Sequence, residues 1–232
     1  MTDRPSVKQT LRSIPGARRA SSWLRRLTGT TARDGSRRTI LERLPKGTVG
    51  MEVGVHLGDF SERLLSVVRP KELHLVDPWA LEVSPTYARA WYGGAAQGGA
   101  DEMEQRFASV KKRFGAAIAA GTVKVHRGNS DAVLEGFPDG CLDWIYIDGN
   151  HLYDFVKRDL ELASRKVRPG GYIAGDDYGS AGWWEDGVTR AVNEFAGKRA
   201  SVTRLEPVSS VRNSALPVVT GTCLPARLLT SR

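Results

Sequence analysis

Five short apolar runs limit what this chain can fold into: "TVGMEVG" (48–54), "ELHLVD" (72–77), "TVKVHRG" (122–128), "LDWIYID" (142–148) and "GGYIAGDD" (170–177). Each has the length of a strand, and each stops on a glycine or an aspartate. Between and after them, at 59–68, 100–120, 130–137, 152–167 and 185–197, apolar residues recur at helical spacing. Strands that alternate with helices make βαβ units, and right-handed crossovers join these into a doubly wound, mostly parallel sheet covered on both faces. Two further strands near 201–206 and 216–224 bring the expected sheet to seven. Ligands in such sheets sit at the carboxyl ends of the strands. Gly54, Asp77, Gly128, Asp148 and Asp177 therefore mark the rim to inspect.

Ahead of the first strand the pattern changes. Residues 1–46 hold 12 Lys and Arg against 3 acids, whereas 47–232 hold 22 against 23. The basic excess belongs to an N-terminal arm, and the body from 47 to 232 is a separate, nearly neutral domain. Apolar spacing over 17–27, with Trp23 on one face, predicts a helix in the arm. "TARDGSRR" reads as a break, with Ser36 capping a second short helix through Ile40, Leu41 and Leu44. The arm suits a solvated tail, a contact for an acidic partner or membrane surface, or a segment exchanged in a homodimer. Two distant cysteines, Cys141 and Cys223, make a disulfide framework or zinc site unexpected and fit a reducing, cytoplasmic compartment. No apolar run reaches the length of a membrane span, and no apolar stretch near Met1 reads as a secretory signal.

"EVGVHLGDFS" joins the first strand to its helix through Gly54 and Gly58, with Asp77 ending the next strand. Glycines let a backbone approach a ligand, and an acid about 20 residues on can bind ribose hydroxyls. Dinucleotides and S-adenosylmethionine share this layout, and any tight turn would also take the glycines. A dinucleotide loop wants a middle glycine where His56 stands. Asp59, opening the helix, would repel a pyrophosphate but tolerate a cationic sulfonium. The loop therefore favours S-adenosylmethionine.

Glu52-x-Gly54-x-x-x-Gly58, Asp77, "RGNSDAV" and "DWIYIDGNHLYDFVKRDLEL" together resemble class I S-adenosylmethionine-dependent O-methyltransferases, especially the metal-dependent sugar O-methyltransferases. The resemblance covers about 48–196 and implies a Rossmann-like methyltransferase fold. It implies that Glu52, Gly54, Gly58, Ser61, Asp77, Ser130 and Asp131 surround the cofactor, with Ser130 also suited to a helix N-cap. It further implies that Asp148, Asp176 and Asp177 hold Mg²⁺ or another divalent cation, and that Asp148 and His151 form the catalytic pair with His151 as general base. Adjacent carboxylates repel unless a cation or proton is present, and a hard-oxygen set suits Mg²⁺. His56, His74 and His126 have no comparable setting and read as structural.

Aromatic residues follow both acidic strand ends. Trp91 lies in the Gly-rich segment after Asp77, and Tyr153, Tyr178, Trp183 and Trp184 follow the later aspartates. They read as walls for a sugar or oligosaccharide acceptor, with a phenolic or other small natural product as the alternative. A nucleic-acid acceptor is disfavoured, because the body lacks the basic charge that such binding needs.

Overall fold

The computed structural model describes residues 32–197 and 227–230. Helix α1 (Ala32–Arg43) precedes β1 (Val49–Val53). Then come α2 (Asp59–Arg63), which runs on as one π-helical turn over Leu64–Val68, and β2 (Glu72–Asp77). Next are α3 (Gly99–Arg113), α4 (Gly115–Ala119), β3 (Val123–Arg127), α5 (Ser130–Glu135), β4 (Leu142–Ile147), α6 (Tyr153–Lys166), β5 (Val167–Gly175), α7 (Gly187–Gly197) and β6 (Arg227–Thr230). Six strands among the described residues form one sheet in the order β3-β2-β1-β4-β5-β6, and every neighbouring pair is parallel. The five strands of the body occupy the expected runs. The expected strands near 201–206 and 216–224, and the arm helix at 17–27, lie outside the described residues.

Strand periodicity divides the core. In β4, Ile145 and Ile147 face one side with Met51, Val53, Leu160, Val188 and Val192. Trp144 and Tyr146 face the other with Leu73, Leu75, Leu64, Val110 and the apolar residues of α1. Burial on both faces is what a parallel sheet requires. Gly50, opposite Trp144, has no room for a side chain: a Cβ there would lie 2.0 Å from the indole.

Three local expectations change. "ARDGSRR" is helical rather than a break, so Ser36 lies inside α1 rather than at its start. Its weak amphipathic pattern hides a helix that tertiary packing supports: Ile40, Leu41 and Leu44 are all buried. Cutting a buried Leu back to Ala typically costs about 2–5 kcal/mol, so these three anchor α1 to the domain body. The expected helix over 100–120 divides at Phe114, whose ring packs under Gly58. Asn129, not Ser130, occupies the N-cap position of α5.

Candidate active site

The order β3-β2-β1-β4 reverses direction between β1 and β4, and the carboxyl ends of those two strands touch. Asp148 N–H donates to Val53 O at 2.8 Å. Gly54 leaves β1 at φ 88°, and a Cβ on it would lie 2.0 Å from the carbonyl oxygen of Asp148. The glycine is therefore required by this close approach, whatever else the loop binds.

Asp77 closes β2 with only 1% of its surface exposed. Its carboxylate accepts from Val55 N at 2.9 Å, His56 N at 3.0 Å, Trp79 N at 2.7 Å and the Tyr92 hydroxyl at 2.6 Å. The three backbone donors fix the acid against the β1 loop. The Tyr92 hydroxyl arrives from the segment after β2 and stands where a ribose hydroxyl could bond. Burial pushes the Asp77 pKa up despite these bonds. Glu52 lies deeper: burial pushes its carboxyl up to about 8, and it accepts from the Ser61 hydroxyl at 2.5 Å. Both are buried beneath the loop. On the other flank Ser130 donates to Asp159 at 2.6 Å, and Asp131 accepts the Ala132 N–H at 2.8 Å. Asp159 is itself buried, and burial pushes its carboxyl up to about 7.

The acids at β4 and β5 divide into two groups. Asp148 Oδ1 lies 3.5 Å from His151 Nε2, and Asp177 Oδ2 lies 2.9 Å from the same nitrogen. Asp148, His151 and Asp177 offer ligand atoms all within 4.8 Å of one another. Asp176 instead turns towards Arg37 of α1. The Arg37 guanidinium donates through Nε to Asp176 at 2.9 Å, through Nη2 to Asp176, and through Nη2 to Asp148 at 2.6 Å. Neighbouring carboxylates thus point to different cations, helped by Asp177 adopting φ 57°. Aspartate tolerates that left-handed conformation better than most residues.

These carboxylates set the charge of His151. Burial lowers its pKa, but hydrogen bonding and the charges of Asp148 and Asp177 outweigh burial and push it up to about 9. At neutral pH the imidazole in this arrangement is a cation. Burial raises the pKa of Asp148, and Asp176 adds to that rise. As a test of fit, the donor set is suitable for a divalent cation: hard oxygens converge, and a guanidinium already bridges two of them as a stand-in.

The aromatic residues separate by location. Trp184 lies over His151 with ring centroids 4.5 Å apart, Trp183 meets Tyr87 at 5.2 Å, and the Tyr87 hydroxyl accepts from Asn150 at 2.7 Å. These four line the His151 side. Trp91 does not: it is 65% exposed and lies 4.9 Å from His56, by an open groove of about 550 Å³ that also includes Arg106 and Gln105. Tyr178 is buried, with its hydroxyl 3.1 Å from Asn193 Oδ1, and Tyr153 bonds Glu194 beneath Arg190. Both sit against α7, and with Trp184 they border the same half of the core. Sequence reasoning missed Arg37 and Asn150, and it placed Tyr92 among the acceptor walls rather than on Asp77. The signal for Arg37 was the unbalanced acid cluster, which calls for positive charge nearby.

Among the described residues no helix is long and apolar enough to cross a membrane. A family model described as "Methyltransferase domain" matches residues 51–178, more than half of the chain. A stretch of 63 residues is 40% identical to an uncharacterized protein of Acanthamoeba polyphaga mimivirus, covering 27% of this chain and 28% of that relative. A structure of a candidate rRNA methylase from Clostridium thermocellum superposes with a TM-score of 0.51 at 13% identity, over 80% of this chain and 92% of that one. Precorrin-6y C5,15-methyltransferase from Geobacter metallireducens gives 0.47 at 16% identity, over 71% and 70%. A candidate sarcosine dimethylglycine methyltransferase from Galdieria sulphuraria gives 0.41 at 14%, over 69% of this chain and about half (49%) of its own length. At these identities the likeness concerns the fold. The chain belongs to the methyltransferase-domain family, and its fold is that of a methyltransferase domain.

Proposed function

We propose that this protein moves a methyl group from S-adenosylmethionine to a hydroxyl of a sugar or glycoside with the help of a divalent cation such as Mg²⁺. The observation that carries the reading is the convergence of Asp148, His151 and Asp177, with Asp176 beside them, where β4 and β5 end. Glu52, Gly54, Gly58, Ser61, Asp77, Ser130 and Asp131 form the cofactor side, with Asp77 taking the ribose once Tyr92 has moved away. S-adenosylmethionine supplies an activated methyl group. A cation on Asp148, Asp176 and Asp177 would make an acceptor hydroxyl more acidic and offset the carboxylate charge that keeps His151 protonated.

Within that site His151 accepts the proton of the acceptor hydroxyl as the oxygen takes the methyl group. Its imidazole is held in place by Asp177 and covered by Trp184. Trp183, Trp184 and Tyr87 offer apolar faces on which a sugar ring can stack, and Asn150 adds an amide for its hydroxyls. Positioning of the acceptor oxygen in line with the methyl group supplies much of the acceleration. The same reading includes a homodimer acting in the cytoplasm on a small-molecule or oligosaccharide acceptor.

The test incubates the protein with S-adenosylmethionine and a panel of methyl glycosides and simple phenols, with and without a chelator. S-adenosylhomocysteine release is followed. Turnover on glycosides that stops with chelator is the expected result. Undiminished turnover with chelator removes the cation from the account, and turnover confined to phenols replaces the acceptor class.

A further inference from the structure

The acidic rim of β4 and β5 holds a cation that comes from the chain itself. Arg37 Nη2 lies 2.6 Å from Asp148 Oδ2 and bonds Asp176 as well, while Nε binds Asp176 at 2.9 Å. Its partners come from two neighbouring strand ends, and Phe60 of α2 packs against the guanidinium at 5.1 Å. Asp176 is buried and Arg37 is largely so, which strengthens the pairing relative to a surface ion pair. These are carboxylates to which the proposed function assigns a divalent cation. Arg37 takes Asp148 Oδ2 while Oδ1 of the same carboxylate faces His151. A dication on these carboxylates would therefore sit beside the guanidinium, and like charges in a partly desolvated site repel strongly.

We infer that Arg37 is a built-in occupant of the cation site: its guanidinium must leave Asp148 before the carboxylates can take a divalent cation. This rests on the cation reading given under the proposed function.

Helix α1 is constructed for such a release. Ile40, Leu41 and Leu44 hold its second half in the core, and Arg37 sits one turn upstream of that anchor. Gly35 lies in the same upstream turn, exposed, and a Cβ added there would meet nothing within 4 Å. A glycine that packing does not require weakens a helix interior. The turn that carries Arg37 can therefore loosen while the anchored half stays. Cation loading and loosening of the first turns of α1 become a single event.

The test measures Mn²⁺ binding by calorimetry to the full chain, wild type, Arg37→Met and Asp148→Asn. Methionine keeps an apolar stem over Phe60 and removes the charge. Arg37→Met should bind Mn²⁺ roughly tenfold more tightly or better, as expected when charge-assisted hydrogen bonds no longer compete. Hydrogen exchange on the wild type should show residues 35–39 exchanging faster at saturating Mn²⁺. Equal or weaker binding by Arg37→Met, with binding abolished in Asp148→Asn, overturns the inference and leaves the cation reading standing. No Mn²⁺ binding in either wild type or Arg37→Met refutes the cation reading and the inference together. Should Arg37→Met fail to fold, exchange on the wild type decides, and unchanged protection at 35–39 with Mn²⁺ bound overturns the inference.

Discussion

Tyr92→Phe should make the protein less stable and a better cofactor binder. The Tyr92 hydroxyl donates to Asp77 Oδ2 at 2.6 Å, and burial, followed by the charge of Asp77, pushes the phenol's pKa up. A hydrogen bond to a charged group contributes about 1.5–3 kcal/mol. Removing it leaves Asp77 with its three backbone donors, so a loss of about 1–2 kcal/mol of stability is expected. At this chain length that lowers Tm by roughly 2–8 °C. The same bond competes with a ribose hydroxyl for the same oxygen. Where the binding-competent form is a minor population, apparent affinity falls in proportion to that population. Releasing the bond should therefore tighten S-adenosylhomocysteine binding by roughly five- to thirtyfold. Calorimetric titration of both proteins, beside thermal unfolding without ligand, reads the two effects separately. A variant that loses stability and affinity together would refute the reasoning, because Tyr92 would then belong to the bound site.

Other expectations concern the two sides of the site and the sheet. His151→Ala should keep S-adenosylhomocysteine affinity within about twofold and lose roughly 100-fold or more in turnover; near-normal turnover in a kinetic assay would remove the base assignment. Gly54→Ala forces a Cβ into the Asp148 carbonyl at φ 88° and should cost about 3 kcal/mol or more by urea unfolding, with cofactor binding lost. His74 is buried beside His126, and burial followed by the His126 charge pushes its pKa down to about 4. The unfolded chain takes up that proton near 6.5 and the folded one only near 4. The contribution of His74 to stability should thus be full above pH 6.5 and fall between about 6.5 and 4, by on the order of 1–3 kcal/mol. His56, also lowered to about 4 by burial, adds in the same direction. Glu52 and Asp159, whose carboxyl pKa values are raised by burial, act in the opposite direction. Urea midpoints at pH 7 and pH 5 are therefore compared between wild type and His74→Phe. The wild type should change less favourably than the variant as pH falls, and an equal or more favourable change would contradict the sign.

The body of the sheet was legible because strand periodicity and helix periodicity differ so clearly here. "LDWIYID" alternates its residues between the two halves of the core, and its final acid falls at the rim, as the run of apolar residues implied. Asp148, His151 and Asp177 could be read together because His151 lies three positions past Asp148 and Asp177 follows the neighbouring strand β5. The turn of Asp176 towards Arg37 could not be read. Its neighbour Asp177 takes φ 57°, which sends the two side chains apart, and no pattern of residue types encodes that turn.

Arg37 was illegible for a different reason. It lies 111 residues from Asp148 and 139 from Asp176, in a segment whose Gly, Asp and Ser read as a break. Local propensity was overridden by the packing of Ile40, Leu41 and Leu44. The aromatic residues show the limit of composition. Trp91 and Trp184 look equivalent in sequence, but one packs against His56 of the β1 loop and the other over His151. The segment that carries Trp91 is also tied back on itself, with Glu82 N–H donating to Tyr92 O at 2.6 Å, and this aims the Tyr92 ring at Asp77. The glycines gave an ambiguous signal. Gly54 and Gly58 fit a cofactor loop, yet the positions are also demanded by Asp148 and Phe114.

Crystals grown with S-adenosylhomocysteine and Mn²⁺, measured for anomalous scattering from manganese, test the central claim most directly. The account predicts one strong peak among Asp148, Asp176 and Asp177, within bonding distance of carboxylate oxygens, with the Arg37 guanidinium moved off Asp148. S-adenosylhomocysteine bound normally, no manganese at those aspartates and Arg37 still bridging Asp148 and Asp176 would contradict it.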